Sequence, residues 1–326
     1  MCRSAACRPI RNVRTYLDAR ASDVIGVDLF RAYDRFCACP PHLVRGPGTR
    51  IHPQPRAAGR AGDRVAINPR DLSPSTGHDV SVPLTISLLA DRPDLAEAMW
   101  NMPNSWPEFM RHDPIGGLYY GNVETRFAEF VLVAQDDAGE VVACAYSVPF
   151  VRGDGALPNN GWDFVIRNGL LASLRGEEPD AISAVEIAVR PDRQGSGVSR
   201  QMLAAMRDNA GRRGFAELVA PVRPNGKADV HEPMSTYAFR VREDGLPVDP
   251  WIRVHVRAGG RIAKVAPRSM VVPGTLEEWR EWTGLPFDET GPVLVPRALT
   301  PVHCDVEHGV ATYVEPNVWV VHRTER

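Results

Sequence analysis

Ala184-Val185-Glu186-Ile187-Ala188-Val189-Arg190-Pro191-Asp192-Arg193-Gln194-Gly195-Ser196-Gly197-Val198-Ser199 reads as a strand, a tight turn and the start of a helix. Val185, Ile187 and Val189 alternate with Glu186 and Ala188, the period of a strand. Pro191 has no N–H for a ladder and stops it. Gly195 and Gly197 let the backbone curl close to a ligand. Met202, Leu203 and Met206 then recur at helical spacing. The N–H groups of the turn and of the first helical turn converge on one spot, an anion site suited to a pyrophosphate.

A Walker loop closes on Gly-Lys-Ser/Thr, which is absent here. A dinucleotide fingerprint places Gly-x-Gly-x-x-Gly directly after the strand; here Pro191 and charged residues intervene, and Arg200 occupies the third glycine position. The order of residues resembles the acetyl-CoA motif of the GNAT superfamily of N-acetyltransferases. That motif is a strand ending Val-x-Pro, then Gln/Arg-x-x-Gly-x-Gly/Ala. Gln194, Gly195, Ser196, Gly197 and Val198 fit, and Ser199 stands where Gly or Ala is usual. The resemblance implies an α/β fold of the α+β mixed-sheet kind, with insertions and a C-terminal extension. It also implies contacts to CoA from Ile187, Ala188, Val189, Arg193, Gln194, Gly195, Ser196, Gly197, Val198, Ser199 and Arg200. Two other readings stay open: a CoA-binding sensor or scaffold of this fold without catalysis, and a nucleotide-binding module of another fold. The third is separated from the first two by whether strands 184–190 and 215–222 splay apart.

Working outward, Pro83–Leu89 reads as the first strand, with Asp91 placed to cap a helix from Pro93 to Asn101. Trp100, Met102, Trp106 and Phe109 extend a wall of core or acceptor contacts. Residues 127–134 and 141–150 form a hairpin around an Asp-Gly type turn. An insertion, 151–180, carries a helix from Asp163 to Leu174. Beyond the central stretch lie a strand at 215–222, a short helix at Met234–Arg240, and a helix from Pro250 to Ile262 with Gly259 as its stop. That last segment resembles the closing GNAT helix loosely: His255 falls at the family's Tyr position, and Val248 replaces its Asn. A strand at 262–272 follows. Thr275 and Glu278 then make a capping box for a helix, and strands near 293–295, 302–306 and 310–322 complete the sheet.

Acetyl transfer needs an acceptor for the amine's proton, a donor to the developing oxyanion and a stabilised thiolate. Glu186 is the candidate base, set against the reading of a solvent-facing strand carboxylate. His255 is the candidate acid near the sulfur, set against a structural histidine or a phosphate ligand, and Tyr237 is a lesser alternative. The resemblance supplies the Val189 N–H as the oxyanion donor. Arg193, Arg200 and Lys227 could add charge for the CoA phosphates. His303, Cys304, His308 and His322 do not share one side of their strands, and no metal is expected.

The chain has 326 residues and a formal net charge of −2, so composition implies no general attraction to nucleic acid. No apolar run approaches the roughly 20 residues of a membrane span. Residues 1–80 are Arg-, Pro- and Gly-rich and read as a weakly ordered extension, with 81–326 as the GNAT-like domain. Cys2, Cys7, Cys37 and Cys39 do not have the spacing of common zinc modules. The expectation is a cytoplasmic N-acetyltransferase, a monomer or homodimer. It would move an acetyl or short acyl group from acetyl-CoA to a small-molecule or peptide amine by direct attack in a ternary complex. Neither nucleic acid nor membrane is expected as a partner.

Overall fold

Apolar runs with strand or helix period sort residues 83–324, which the computed structural model describes, into one mixed sheet flanked by helices. The expectation for residues 1–80 lies outside the described residues. Strands β1 (Thr85–Leu88), β2 (Val131–Gln135), β3 (Val141–Phe150) and β4 (Ala181–Val189) pair antiparallel in that order. β5 (Glu217–Val222) joins β4 in parallel. The second half comprises β6 (Arg261–Thr275), β7 (Gly291–Val293), β8 (Val302–Asp305) and β9 (Val310–Arg323). β9 holds it together, carrying β5 and β8 on one edge and β6 along the other.

Several boundaries move from their expected places. β2 begins at Val131, because residues 123–130 are still helical turns. Asp91 caps nothing; the N-cap of the turn at 93–95 is Arg92, without a side-chain bond, before helix α1 (Ala96–Trp100). A short helix α2 (Gly116–Tyr120) precedes β2, and the insertion helix α3 (Gly161–Arg175) starts two residues early. The helix following the quoted turn is α4 (Val198–Arg212), the short one α5 (Met234–Tyr237), and the closing one α6 (Pro250–Arg257). Gly259 does stop α6, at φ +83°, but Ile262 belongs to β6. Helix α7 (Leu276–Thr283) has the expected capping box.

The sheet separates two cores. α4 buries Val198, Met202, Leu203 and Met206 on one face, one stripe of a 3.6-residue period. On the other face α3 packs against β3 and β6. Its Gly161 is forced there, since a Cβ would lie 2.2 Å from Ser269 Oγ.

Asp249 ties the link after β5 to the body. Its Oδ1 accepts the Trp251 and Ile252 N–H groups at 2.9 Å and so caps α6. Its Oδ2 accepts from Asn225 N–H at 3.0 Å, Gly226 N–H at 2.8 Å and Tyr237 Oη at 3.0 Å. Asp249 is 1% exposed, and an Asp249→Ala variant leaves five donors without their acceptor, those of Ile252 and Tyr237 on buried residues. Loss of a cap and buried unsatisfied donors predict destabilisation by about 2–4 kcal/mol, read as a lower urea midpoint at unchanged slope.

Candidate active site

A bulge opens the site. β3 and β4 lose register between Tyr146 and Ser147: Glu186 faces Tyr146, but Ala184 faces Ser147, leaving Val185 extra. A bulged strand bends and twists. β4 accordingly pairs with β5 only at Ile182–Leu218 and Ser183–Val219, and the two strands then part. The splay that separates the CoA-binding readings from the simple nucleotide turn is therefore present. Into the gap opens a cavity of about 740 Å³, lined by residues 184–189 of β4 and 220–222 of β5.

The bulge also breaks the expected alternation. Ile187 and Val189 pack on the α4 side, while Val185 packs on the opposite core. Arg190 N–H donates to Val142 O at 2.9 Å, so Arg190–Val142 is the bonded couple and Val189–Ala143 the unbonded one. In an antiparallel ladder this turns the Val189 N–H away from β3, toward the cavity.

Glu186 lines the cavity, half-buried. Trp106 Nε1–H donates to its Oε1 at 2.6 Å, and Tyr120 Oη donates to its Oε2. Burial raises its pKa, and these two bonds to the charged form oppose the rise. It is thus no solvent-facing strand carboxylate. Both partners sit 66–80 residues upstream, and from the sequence Trp106 reads only as part of a wall. The aromatic density of residues 100–120 was the one signal for them.

At the far end of β4, Pro191–Arg193 forms a single 3-10 turn, and Gly195 and Gly197 take φ +77° and +82°. A Cβ on either would meet nothing within 4 Å. These glycines are required by backbone conformation and leave open space in front of the loop. α4 begins at Gly197 without a side-chain cap, so its first N–H groups are not satisfied by a cap. Arg193, Gln194, Gly195 and Ser199 line the cavity. Arg193 is held by Asp136 at 2.7 Å, and Ser196 Oγ donates to Arg193 O at 2.6 Å. The chemistry of this loop fits a pyrophosphate, and the splay fits an extended amide-bearing arm with backbone groups to meet it.

Three further expectations change. His255 lines the cavity but is 2% exposed, and its Nδ1 lies 2.9 Å from His322 Nε2. Burial, then the neighbouring His322, pushes its pKa down to about 3. Burial disfavours the imidazolium, which makes His255 a poor proton donor, and its Nδ1 is engaged by His322, as the structural reading has it. Tyr237 is buried beside Asp249, away from the cavity lining, and leaves the catalytic set. Lys227 is buried, donating to Leu299 O at 2.8 Å and to Asp229 O, so its charge does not serve phosphates. Among the described residues no three His, Cys, Asp or Glu side chains are grouped to hold a metal, and no helix is long and apolar enough to cross a membrane.

No protein-family model matches the chain. Among solved structures, the loading GNATL domain of CurA from Lyngbya majuscula aligns with a TM-score of 0.46 and 17% identity, over 74% of this chain and 96% of that one. A GNAT-like decarboxylase, GphF, in complex with isobutyryl-CoA aligns at 0.44 and 16%, over 74% and 98%. A curated relative, arginine N-acetyltransferase avaD of Aspergillus versicolor, is 31% identical over 279 residues, 74% of this chain and 96% of its own length. With near-complete coverage of an acetyltransferase at that identity, and with the motif already read in residues 189–199, the chain belongs to the GNAT superfamily of N-acetyltransferases.

Proposed function

We propose that the protein acetylates an amine of a small, guanidinium-bearing acceptor, and that Glu186 receives the proton the amine gives up. The coarser reaction, acyl transfer from acyl-CoA to an amine, is that of the family. The observation that carries the finer reading is the setting of Glu186, where β4 leaves β5. There it is clasped by two neutral donors, and no salt bridge holds it among the described residues. Such a carboxyl keeps its pKa above that of an exposed glutamate, closer to the working pH of a general base.

The other roles follow from position. The Val189 N–H, aimed from β4 into the cleft, suits a developing oxyanion. The loop Gln194–Arg200 with the start of α4 suits the CoA phosphates, and Ile187 and Ala188 suit the arm beside the strand. The acceptor class is supported by the relative's name, arginine N-acetyltransferase, and by the carboxyl groups of Asp113 and Glu186 on a cavity wall that also carries Trp106, Tyr120 and Trp162 and four arginines, of which Arg223 is paired with Glu315 and Arg193 with Asp136.

The test is thiol release from acetyl-CoA by the full chain with L-arginine, agmatine, putrescine or L-leucine as acceptor, the product weighed by mass spectrometry. The expected result is an acetylated guanidinium compound formed fastest. Equal turnover of all four, or preference for leucine, overturns the acceptor class. An unchanged rate in Glu186→Gln overturns the base.

A further inference from the structure

The cavity is lined by a carboxylate that the proposed proton transfer does not use and of which the fold uses one oxygen. Asp113 is 4% exposed and lines the cavity, yet no residue forms a salt bridge with it among the described residues. Its Oδ1 accepts the Ile115 N–H at 2.8 Å, the bond of an Asx turn that leads into α2. Its Oδ2 is buried and meets no donor among the described residues. Behind it Asp163, in the first turn of α3 and 3% exposed, also has an oxygen, Oδ1, with no donor there. A buried polar oxygen without a partner is costly, and two in one place call for an explanation.

No cation is paired with either carboxyl among the described residues, although arginines stand in the same cavity wall. Glu315 acts on Asp113 as a like charge, but is itself bonded to Arg223 at 2.7 Å. Arg167 and Arg268 act only at a distance, Arg167 being exposed on α3. Arg111, two residues before Asp113, turns instead to Asn104 at 3.1 Å and Glu108 at 3.7 Å. Burial, with mutual repulsion at Asp163, pushes Asp113 up to about 7 and Asp163 up to about 8.

Two aromatic side chains stand at Gly116, three residues on from Asp113 in the chain. The rings of Trp162 and Tyr120 both come within 3.7 Å of the position a Cβ would take on Gly116. Tyr120 Oη is also a donor to Glu186, so a single tyrosine connects this corner to the proposed base.

We propose that Asp113 is the receptor for a guanidinium on the acceptor, the planar cation seated beside the Trp162 and Tyr120 rings and pairing with the Asp113 carboxylate, whose buried Oδ2 turns toward the cavity to meet it, with Asp163 adding negative charge nearby. This rests on the acceptor reading above and gives it a residue. A guanidinium suits the corner better than an ammonium. It stacks on aromatic faces, is weakly hydrated, and presents a fork of donors to a carboxylate. Its own proton does not leave in this pH range. Seating it therefore draws protons off these carboxyls, whose pKa values burial raises.

The decisive comparison is L-arginine against L-citrulline, its neutral isostere, as acceptors for the wild-type chain, Asp113→Asn and Asp163→Asn. The wild type should favour arginine by about 10–100-fold in kcat/KM, the range of one charge-assisted bond. Asp113→Asn should lose that ratio through a raised KM for arginine, with the KM for acetyl-CoA unchanged. Asp163→Asn should lose part of it. Calorimetric titration at pH 7 in two buffers of different ionisation heat should show proton release on arginine binding to the wild type, and less in Asp113→Asn. An Asp113→Asn enzyme that keeps the arginine-to-citrulline ratio and the proton release overturns the subsite.

Acetylation of neither compound by the wild type overturns the acceptor reading, and the subsite is then judged on binding alone. Agmatine should bind the wild type and not Asp113→Asn. Equal binding, or none to either, overturns it. Circular dichroism and a binding isotherm for acetyl-CoA show that each variant is folded.

Discussion

Glu186→Gln should lower kcat by about 10²–10⁴-fold while leaving the affinity for acetyl-CoA intact. Glutamine keeps the size and one acceptor oxygen, so the bond from Trp106 survives; what is lost is the site that takes the proton. The pH profile is the sharper readout. In the wild type Glu186 must be ionised to act, so kcat should fall as the pH drops through its raised pKa; in the variant that acidic limb should vanish. A companion variant fixes the sign. Tyr120 Oη bonds to the charged form and pulls the Glu186 pKa down, so Tyr120→Phe should move the limb to higher pH. A limb that stays in Glu186→Gln, or moves to lower pH in Tyr120→Phe, would exclude Glu186 as the base.

Gly197→Glu should abolish tight acetyl-CoA binding, with the Kd rising at least about 100-fold. Two effects combine. Gly197 sits at φ +82°, where a side chain costs about 1–3 kcal/mol. The new carboxylate also stands at the uncapped start of α4, where the CoA phosphates are expected, and repels them. Gly197→Ala separates the two: it carries the strain without the charge, so it should lower stability and leave most of the affinity. The space in front of Gly197 is open, which makes misfolding from a clash an unsuitable explanation for either variant. Isothermal titration with acetyl-CoA is the measurement, and wild-type affinity in Gly197→Glu would remove the phosphates from this loop.

What could be read in the chain was what is local. The strand, turn and helix of 184–212 follow from alternation, Pro191, two glycines and a helical stripe, all within one short span. The capping box at Thr275 and the stop at Gly259 are equally local. The bulge at Val185 was not readable, because it is defined by the register of another strand rather than by β4 itself. It reverses the face that Val185 was expected to share with Ile187. The company of Glu186 was also hidden: Trp106 and Tyr120 reach it only once the wall of residues 93–130 has folded over the sheet. His255 shows the converse. Its place in the sequence suggests an acid, while its burial against His322 disfavours the charged form that role requires.

The pairing of β4 with β5 at only two positions has a mechanical meaning. The sheet is two plates on a short hinge, β1–β4 on one side and β5–β9 on the other. The brace across them is α4, which packs on strands of both plates through Met202, Leu203 and Met206. A ladder would fix the separation by hydrogen-bond length. A brace of side chains fixes it by volume. The width of the cleft between β4 and β5 is therefore set by the packing of α4 rather than by a continuous ladder.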